Sequence, residues 1–473
     1  MNASRRAFFR AASGLAAAGL GAQSLPLALN LAGLGALAAS QAHAANTADG
    51  YKALVCLFLQ GGNDSHNWVV PTDSANYKTY ATARGDLALP LASLLPLSTP
   101  GQDVGRSFGM PPELAPLRQR YESGHCAVLA NVGTLLRPTT KADFQAGVGL
   151  PAKLFSHNDQ LSMWQSMSPE GAAYGWGGRM ADILMSANRQ PVFTAVTASG
   201  NAVFLSGTST TPFAVGANGP TLINPAQTGW HAGSALVPGL LRSQIANGAP
   251  SNEFEAEYLR TVQRSLAAGS TLQSAIGATS VPALPTGTIT LNNGATFSLS
   301  TDTLARQLRV VAQLIAAGPG LGMKRQVFFV SLNGFDAHAA QMRQQPLQMA
   351  RVAHAAGWFL DALQSLNLLN NTTLFTASEF GRTLVSNGDG SDHGWGSHHL
   401  VMGGGVRGKR IVGNFPITAL GTSTDTGSGR LLPTTSVTQL AASLGGWMGL
   451  TTAEQSSVLS NLASFGASPP LFA

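Results

Sequence analysis

Cysteine is nearly absent: Cys56 and Cys126 are the only two among 473 residues. That excludes a cysteine-based metal or redox motif and a disulfide-stapled scaffold. Each cysteine sits inside an apolar run that reads as a buried strand, which favours two inert core thiols. A bridge stays open if the two strands are neighbours in an oxidising compartment. Charge is also scarce, with Asp, Glu, Lys and Arg making up 11% of the chain. The net charge of +6 falls to +3 once Arg5, Arg6 and Arg10 are set aside with the leader described below. There is therefore no basic footprint for nucleic acid. Beyond that leader no window is long and apolar enough to span a membrane.

The first residues are not neutral. Ser4-Arg5-Arg6-Ala7-Phe8-Phe9-Arg10 pairs two arginines with bulky apolar residues, and no charge follows from Ala11 to Ser40. Ala42-His43-Ala44 then supplies a small-residue cleavage site. A charged head, an apolar middle and such an exit make a secretory leader, and the arginine pair points to twin-arginine (Tat) export. Several glycines and Pro26 within the apolar part argue against a membrane anchor. The expectation is a removed leader over 1–44, with the Tat machinery as partner, and a periplasmic or secreted mature chain over 45–473 without a membrane span.

About 430 mature residues suffice for one large α/β domain with insertions. Apolar runs rich in β-branched or aromatic residues read as buried strands at Ala53–Leu59, Cys126–Val132, Val192–Val196, Gln326–Leu332, Thr373–Ala377 and Leu400–Met402. Helical spacing marks Leu304–Ala317 and Met349–Leu369 between them. The alternation predicts a doubly wound, mainly parallel sheet with helices on both faces. Residues 197–301 are rich in Thr, Ser, Gly, Asn and Pro, with one helical stretch at Glu253–Ile276, and read as a loop-rich insertion or cap.

Unusual polar residues fall where strands end. Ala53–Leu59 runs into Gly61-Gly62-Asn63-Asp64, Gln326–Leu332 into Asn333-Gly334-Phe335-Asp336-Ala337-His338, and Thr373–Ala377 into Ser378-Glu379-Phe380-Gly381-Arg382. Parallel strands share one carboxyl edge, where ligands bind, so Asp64, Asp336 and Glu379 are expected to meet there. Carboxylates so gathered repel unless a cation lies among them. His338, His393, His398 and His399 fall in the same loops or just before the last strand. Carboxylate and imidazole without thiolate suit a divalent metal such as Zn, Mn, Mg or Ca, and five or six candidate ligands leave room for two ions. Ser156 stands at the start of a helical stretch, where its ordinary role is an N-cap and its functional one a nucleophile, with His157 as a donor beside it. Arg382 suits an anionic substrate group.

Together the twin-arginine leader, FLQGGNDSHNWVVP, SHNDQ, NGFDAH, SEFGRT and DHGWGSHHLVMGGGVRG resemble the bacterial domain-of-unknown-function family 1501 (DUF1501), over essentially the whole mature chain. That family is grouped with the alkaline phosphatase superfamily. The resemblance implies an alkaline phosphatase-like or sulfatase-like α/β fold with two metal sites at the strand ends. By position it implies metal ligation by Asp64, Asp336, His338 and His393 or His398, and a nucleophile at Ser156. The chain departs from the superfamily at Ser378-Glu379-Phe380, where an Asp-His pair is usual, and has no sulfatase Cys-x-Pro-x-Arg signature near Ser156.

The expected function is metal-dependent hydrolysis or transfer of phosphate or sulfate esters. Asp64, Asp336, His338, Glu379 and His393 or His398 would hold the metal, and the substrate would be a small or polymeric anionic ester. The alternative from another class is a catalytically silent binding or assembly protein that keeps the fold. A carbohydrate-binding or surface-layer role rests only on the polar insertion.

Overall fold

Strands form where the apolar runs can be covered on both sides. A computed structural model describes residues 50–100, 102–217, 219–220, 234 and 236–472; the expected leader over 1–44 lies outside these. The main strands are β1 (Lys52–Gln60), β2 (Cys126–Gly133), β3 (Ala195–Thr197), β4 (Phe213–Gly216), β5 (Gly219–Pro220), β6 (Arg325–Asn333), β7 (Thr372–Ala377), β8 (Arg382–Ser386), β9 (Ser391–His393), β10 (Ser397–Gly403), β11 (Arg410–Val412) and β12 (Thr435–Ser436). The helices that matter below are α1 (Ser74–Arg84), α2 (His157–Ser166), α3 (Trp176–Leu184), α4 (Glu253–Gly277), α5 (Thr303–Ala317), α6 (Gln341–Ser365) and α7 (Val437–Met448).

One sheet runs in the order β11-β2-β10-β7-β1-β6-β3-β4-β5, with β12 beside β2. β7, β1, β6, β3 and β4 run parallel to one another, whereas β10 runs antiparallel between β7 and β2, and β5 antiparallel to β4. The result is a mixed, mostly parallel α/β sheet. Its two faces can be read from β1, because successive side chains point to opposite sides. Ala53, Val55, Leu57 and Leu59 pack with α5 and α6 residues such as Leu308 and Phe359. Leu54, Cys56 and Phe58 pack with Trp164, Trp176 and Leu440 from α2, α3 and α7. Burial on both faces explains why these strands read as unbroken apolar runs rather than as alternating ones.

Differences from the sequence expectation have local causes. Pro191 opens a short 3-10 turn over Pro191–Phe193, so the third strand starts only at Ala195. The helix expected over Met349–Leu369 begins at Gln341, carries Pro346 inside, and ends at Ser365. Within 197–301, the region expected to be an insertion or cap, β4 and β5 extend the sheet itself, and α4 packs on α5. Among the described residues no helix is long and apolar enough to cross a membrane.

The sheet order also answers the cysteine question. Two strands separate β1 from β2, and the thiols lie in the cores of opposite faces. Both are free and buried, and burial pushes both upward in pKa. Neither thiol should react with an alkylating reagent until the protein unfolds, and non-reducing electrophoresis should show no intrachain crosslink. Rapid labelling of the native protein would contradict this packing.

Candidate metal centre

The carboxyl ends of β7, β1 and β6 lie side by side, with Gln60 opposite Asn333 in register. Gly61 continues β1 at φ +119°, and a Cβ there would come within 2.3 Å of the Asp336 backbone nitrogen. Only glycine allows so close a crossing. Its N–H donates to Glu379 Oε1 at 2.8 Å, tying the end of β1 to the loop after β7. Asp336 and Glu379 therefore reach one edge, as their spacing behind two strands anticipates.

Three imidazoles complete the cluster. His157 Nδ1 lies 2.9 Å from Glu379 Oε1. His393 Nδ1 lies 2.7 Å from the Phe155 carbonyl oxygen. His338 Nδ1 lies 3.3 Å from Asp392 Oδ1. A carbonyl or carboxylate oxygen only accepts, so these partners assign the proton of each neutral ring to Nδ1 and leave Nε2 bare. The three Nε2 atoms then face Asp336: His157 at 3.5 Å from Oδ2, His338 at 3.1 Å and His393 at 3.4 Å from Oδ1. His338 Nε2 and His393 Nε2 are only 2.9 Å apart. Between two neutral rings this contact sets lone pair against lone pair, and either a cation between them or a proton on one Nε2, which then donates to the other, relieves it.

The donor set fits a divalent ion. Ligand atoms about 2.0–2.1 Å from a tetrahedral zinc lie about 3.3 Å from one another, close to the separations of 3.1, 3.4 and 3.5 Å around Asp336. His157, Asp336 and His393 each offer one ligand atom within 4.8 Å of the others. Oxygen partners behind each imidazole are the usual outer shell that fixes tautomer and ring orientation. Arg430 braces one of these bonds from both ends. Its Nε donates to the His393 carbonyl at 2.7 Å, and its guanidinium lies 5.2 Å over the Phe155 ring. Phe155 itself has φ +74°, an unfavourable conformation for a bulky side chain that aims its carbonyl at His393.

Charge agrees with this arrangement. Asp336 pairs with Arg382, which donates to its Oδ1 at 2.8 Å, whereas Glu379 and Asp392 pair with His157 and His338, and the Arg430 charge also acts on Asp392. Burial pushes the Asp336 carboxyl up, but the Arg382 hydrogen bond and charge, with His338 and His157, hold it below its ordinary value. The hydrogen bond to Glu379 raises His157, whereas burial lowers His393. A cleft of about 330 Å³ opens beside the cluster, lined by Gln60, Gly61, His157, Asn158, Leu161, Asn333, Asp336 and Glu379.

Other expected site residues are placed elsewhere. Asp64 does not join the cluster. Both carboxylate oxygens are taken by Arg84, Gln341 and the His66 N–H, because the turn after Gly61-Gly62 makes Asp64 the cap of a short 3-10 helix. His398 is buried, accepts from the Asn131 N–H through Nδ1 at 3.0 Å, and stacks on Phe415. Ser156 begins α2 without accepting a capping bond. Its hydroxyl donates to Asp159 Oδ2 at 2.7 Å, and it is absent from the cleft lining. Glu379 stands behind His157 as an acceptor. Arg382 is fully buried and committed to Asp336, the Gly61 carbonyl and Ser391, so it holds Asp336 rather than presenting a free fork. Sequence reading gave His157 only a donor's role beside Ser156. Its one signal was a polar start to a helix, and nothing local shows that this helix returns to the sheet edge.

The fold and cluster define a mixed α/β protein with a carboxylate–imidazole centre at its strand ends. Residues 285–462, which carry Asp336, His338, Glu379, Arg382 and His393, match the family described as "Protein of unknown function (DUF1501)". No curated protein matches. Among solved structures the chain is similar to a protein of Bacteroides thetaiotaomicron described for the metabolism of multiple glycosaminoglycans, at TM-score 0.35 and 11% identity, covering 90% of this chain and 77% of that one. It is also similar to the PsFucS1 sulfatase from Pseudoalteromonas sp., at TM-score 0.35 and 10% identity, covering 89% and 73%.

Two expectations separate the cluster from the buried groups behind it. Asp64→Asn should cost about 3–5 kcal/mol of stability by leaving the Arg84 charge unpaired, while metal affinity changes little. Loss of metal affinity at unchanged stability would return Asp64 to the ligand set. Burial lowers His66 to about 4 and His399 to about 3. The unfolded chain therefore binds these protons first, and stability that is complete above about pH 6.5 should fall as pH drops toward 4, by about 1.4 kcal/mol per pH unit for each histidine. A thermal midpoint that is flat from pH 7 to 5 would contradict both burials.

Proposed function

We propose that this protein is an exported, metal-dependent hydrolase or transferase of phosphate or sulfate esters. Asp336, His157, His393 and His338 hold a divalent cation, and Glu379, Asp392 and the Phe155 carbonyl orient the rings. The observation that carries this reading is the convergence of three Nε2 atoms on one carboxylate, each ring held from behind by an oxygen at its Nδ1. The cation supplies positive charge to an ester oxygen. Without it, a cleft that presents Asp336 and Glu379 and no lysine or arginine would repel an anion.

Arg382 keeps Asp336 ionised and in place. No serine, threonine or cysteine lines the cleft, which favours direct attack by water over a protein-bound intermediate on Ser156. A second reading, a silent binding or assembly protein, draws on the same absence of a nucleophile and on the full commitment of Arg382. The twin-arginine leader supports export in either case.

Elemental analysis of the purified protein should find about one or two divalent ions per chain, and removing them should lower the thermal midpoint. Glu379→Gln should weaken metal affinity by about 10–100-fold, and Asp336→Ala should abolish ester turnover. Ser156→Ala should retain turnover. A metal-free protein indifferent to Zn, Mn, Mg and Ca would defeat the metal reading. Turnover that survives Asp336→Ala would defeat the assignment of this site.

A further inference from the structure

The cleft beside the metal donors does not end there. At Asn333 it meets a second cleft of about 350 Å³, lined by Ser199, Thr303, Gln307, Ser331, Leu332 and Arg351 as well as Asn333. Away from Asp336 and Glu379 the path carries several uncharged amides. Asn158 and Asn333 are exposed, and among the described residues neither side chain, nor that of Gln60 between them, makes a hydrogen bond. The Ser199 hydroxyl is shielded from solvent and likewise has no partner.

The charged and amide groups of the second cleft are already occupied. Arg351 donates to Asp302 at 2.6 Å, to Gln348 at 3.1 Å and to Thr303 at 3.1 Å. The Gln307 amide closes on the Ser331 backbone, donating to its carbonyl at 3.1 Å and accepting from its N–H at 3.0 Å, where β3 no longer pairs with β6. What remains available beside Leu161 and Leu332 is the row of carboxamides of Gln60, Asn158 and Asn333, each able to donate and to accept. There is no free cation for a second anionic group and no aromatic wall for a flat ring.

We propose that Gln60, Asn158 and Asn333 form a subsite for the uncharged, hydroxyl-rich part of the substrate, a sugar ring carrying a single ester at the metal centre. This rests on the ester reading of the preceding subsection and adds the class of the group that bears the ester. A hydroxyl matches a carboxamide because it too donates and accepts, whereas an aryl group would leave these amides buried without partners, at a cost in affinity.

The test is binding to the purified, zinc-loaded protein of glucose 6-phosphate and galactose 6-sulfate, compared with 4-nitrophenyl phosphate, 4-nitrophenyl sulfate, inorganic phosphate and inorganic sulfate. At least one sugar ester should bind tenfold or more tightly than the aryl ester and the inorganic anion of the same charge type. Asn158→Leu and, independently, Asn333→Leu, both exposed changes, should each remove most of that advantage. Equal affinity for sugar ester and inorganic anion, or an advantage untouched by either variant, overturns the subsite alone. Zinc bound normally with no ester or anion bound at all overturns the ester reading, and the subsite with it.

Discussion

Three Nε2 atoms crowd one carboxylate at this site, and lone pairs so placed conflict until the rings take up protons or a cation lies among them. The three imidazoles cannot relieve the conflict by exchanging tautomers, because each Nδ1 already donates to an oxygen of Glu379, Asp392 or Phe155. Asp336 stands at the centre, held below its ordinary pKa by the buried Arg382 guanidinium, which also donates to Gly61 and Ser391. Carboxylate and imidazole donors without thiolate are the ligand types that suit a borderline divalent ion.

The sheet supplies the precision. Parallel β7, β1 and β6 deliver Glu379 and Asp336 to one edge, and Gly61 lets their loops cross at backbone contact distance. The hairpin of β8 and β9 carries Arg382 at one end and His393 at the other, so the group that fixes Asp336 and a ring that faces it are paired residues of one small ladder. The unfavourable backbone of Phe155 is tolerated because Arg430 braces it against His393. Strain held this way stiffens a site before any ligand arrives.

Much of this was legible in the sequence because function follows strand ends. Apolar runs located β1, β6 and β7, and the polar residues just beyond them gave Asp336, His338, Glu379 and Arg382. What could not be read was direction. Asp64 stands four residues after β1, but two glycines with positive φ turn the chain so that it faces Arg84. His398 lies five residues beyond His393, yet inside β10, which carries it into the core instead of the cleft. His157 arrives from a helix whose return to the sheet edge depends on tertiary packing. The commitment of Arg382 to partners on three sides, and of Glu379 to the ring behind Asp336, likewise belongs to the fold and not to any local motif.

A crystal of the protein grown with zinc or manganese, with anomalous data collected at the metal edge, tests the central claim most directly. The account predicts a peak bonded to Asp336 and to the Nε2 atoms of His157, His393 and His338, with all three Nδ1 bonds preserved. A peak centred on Asp64 or His398, or rings turned so that Nδ1 enters the site, would contradict it.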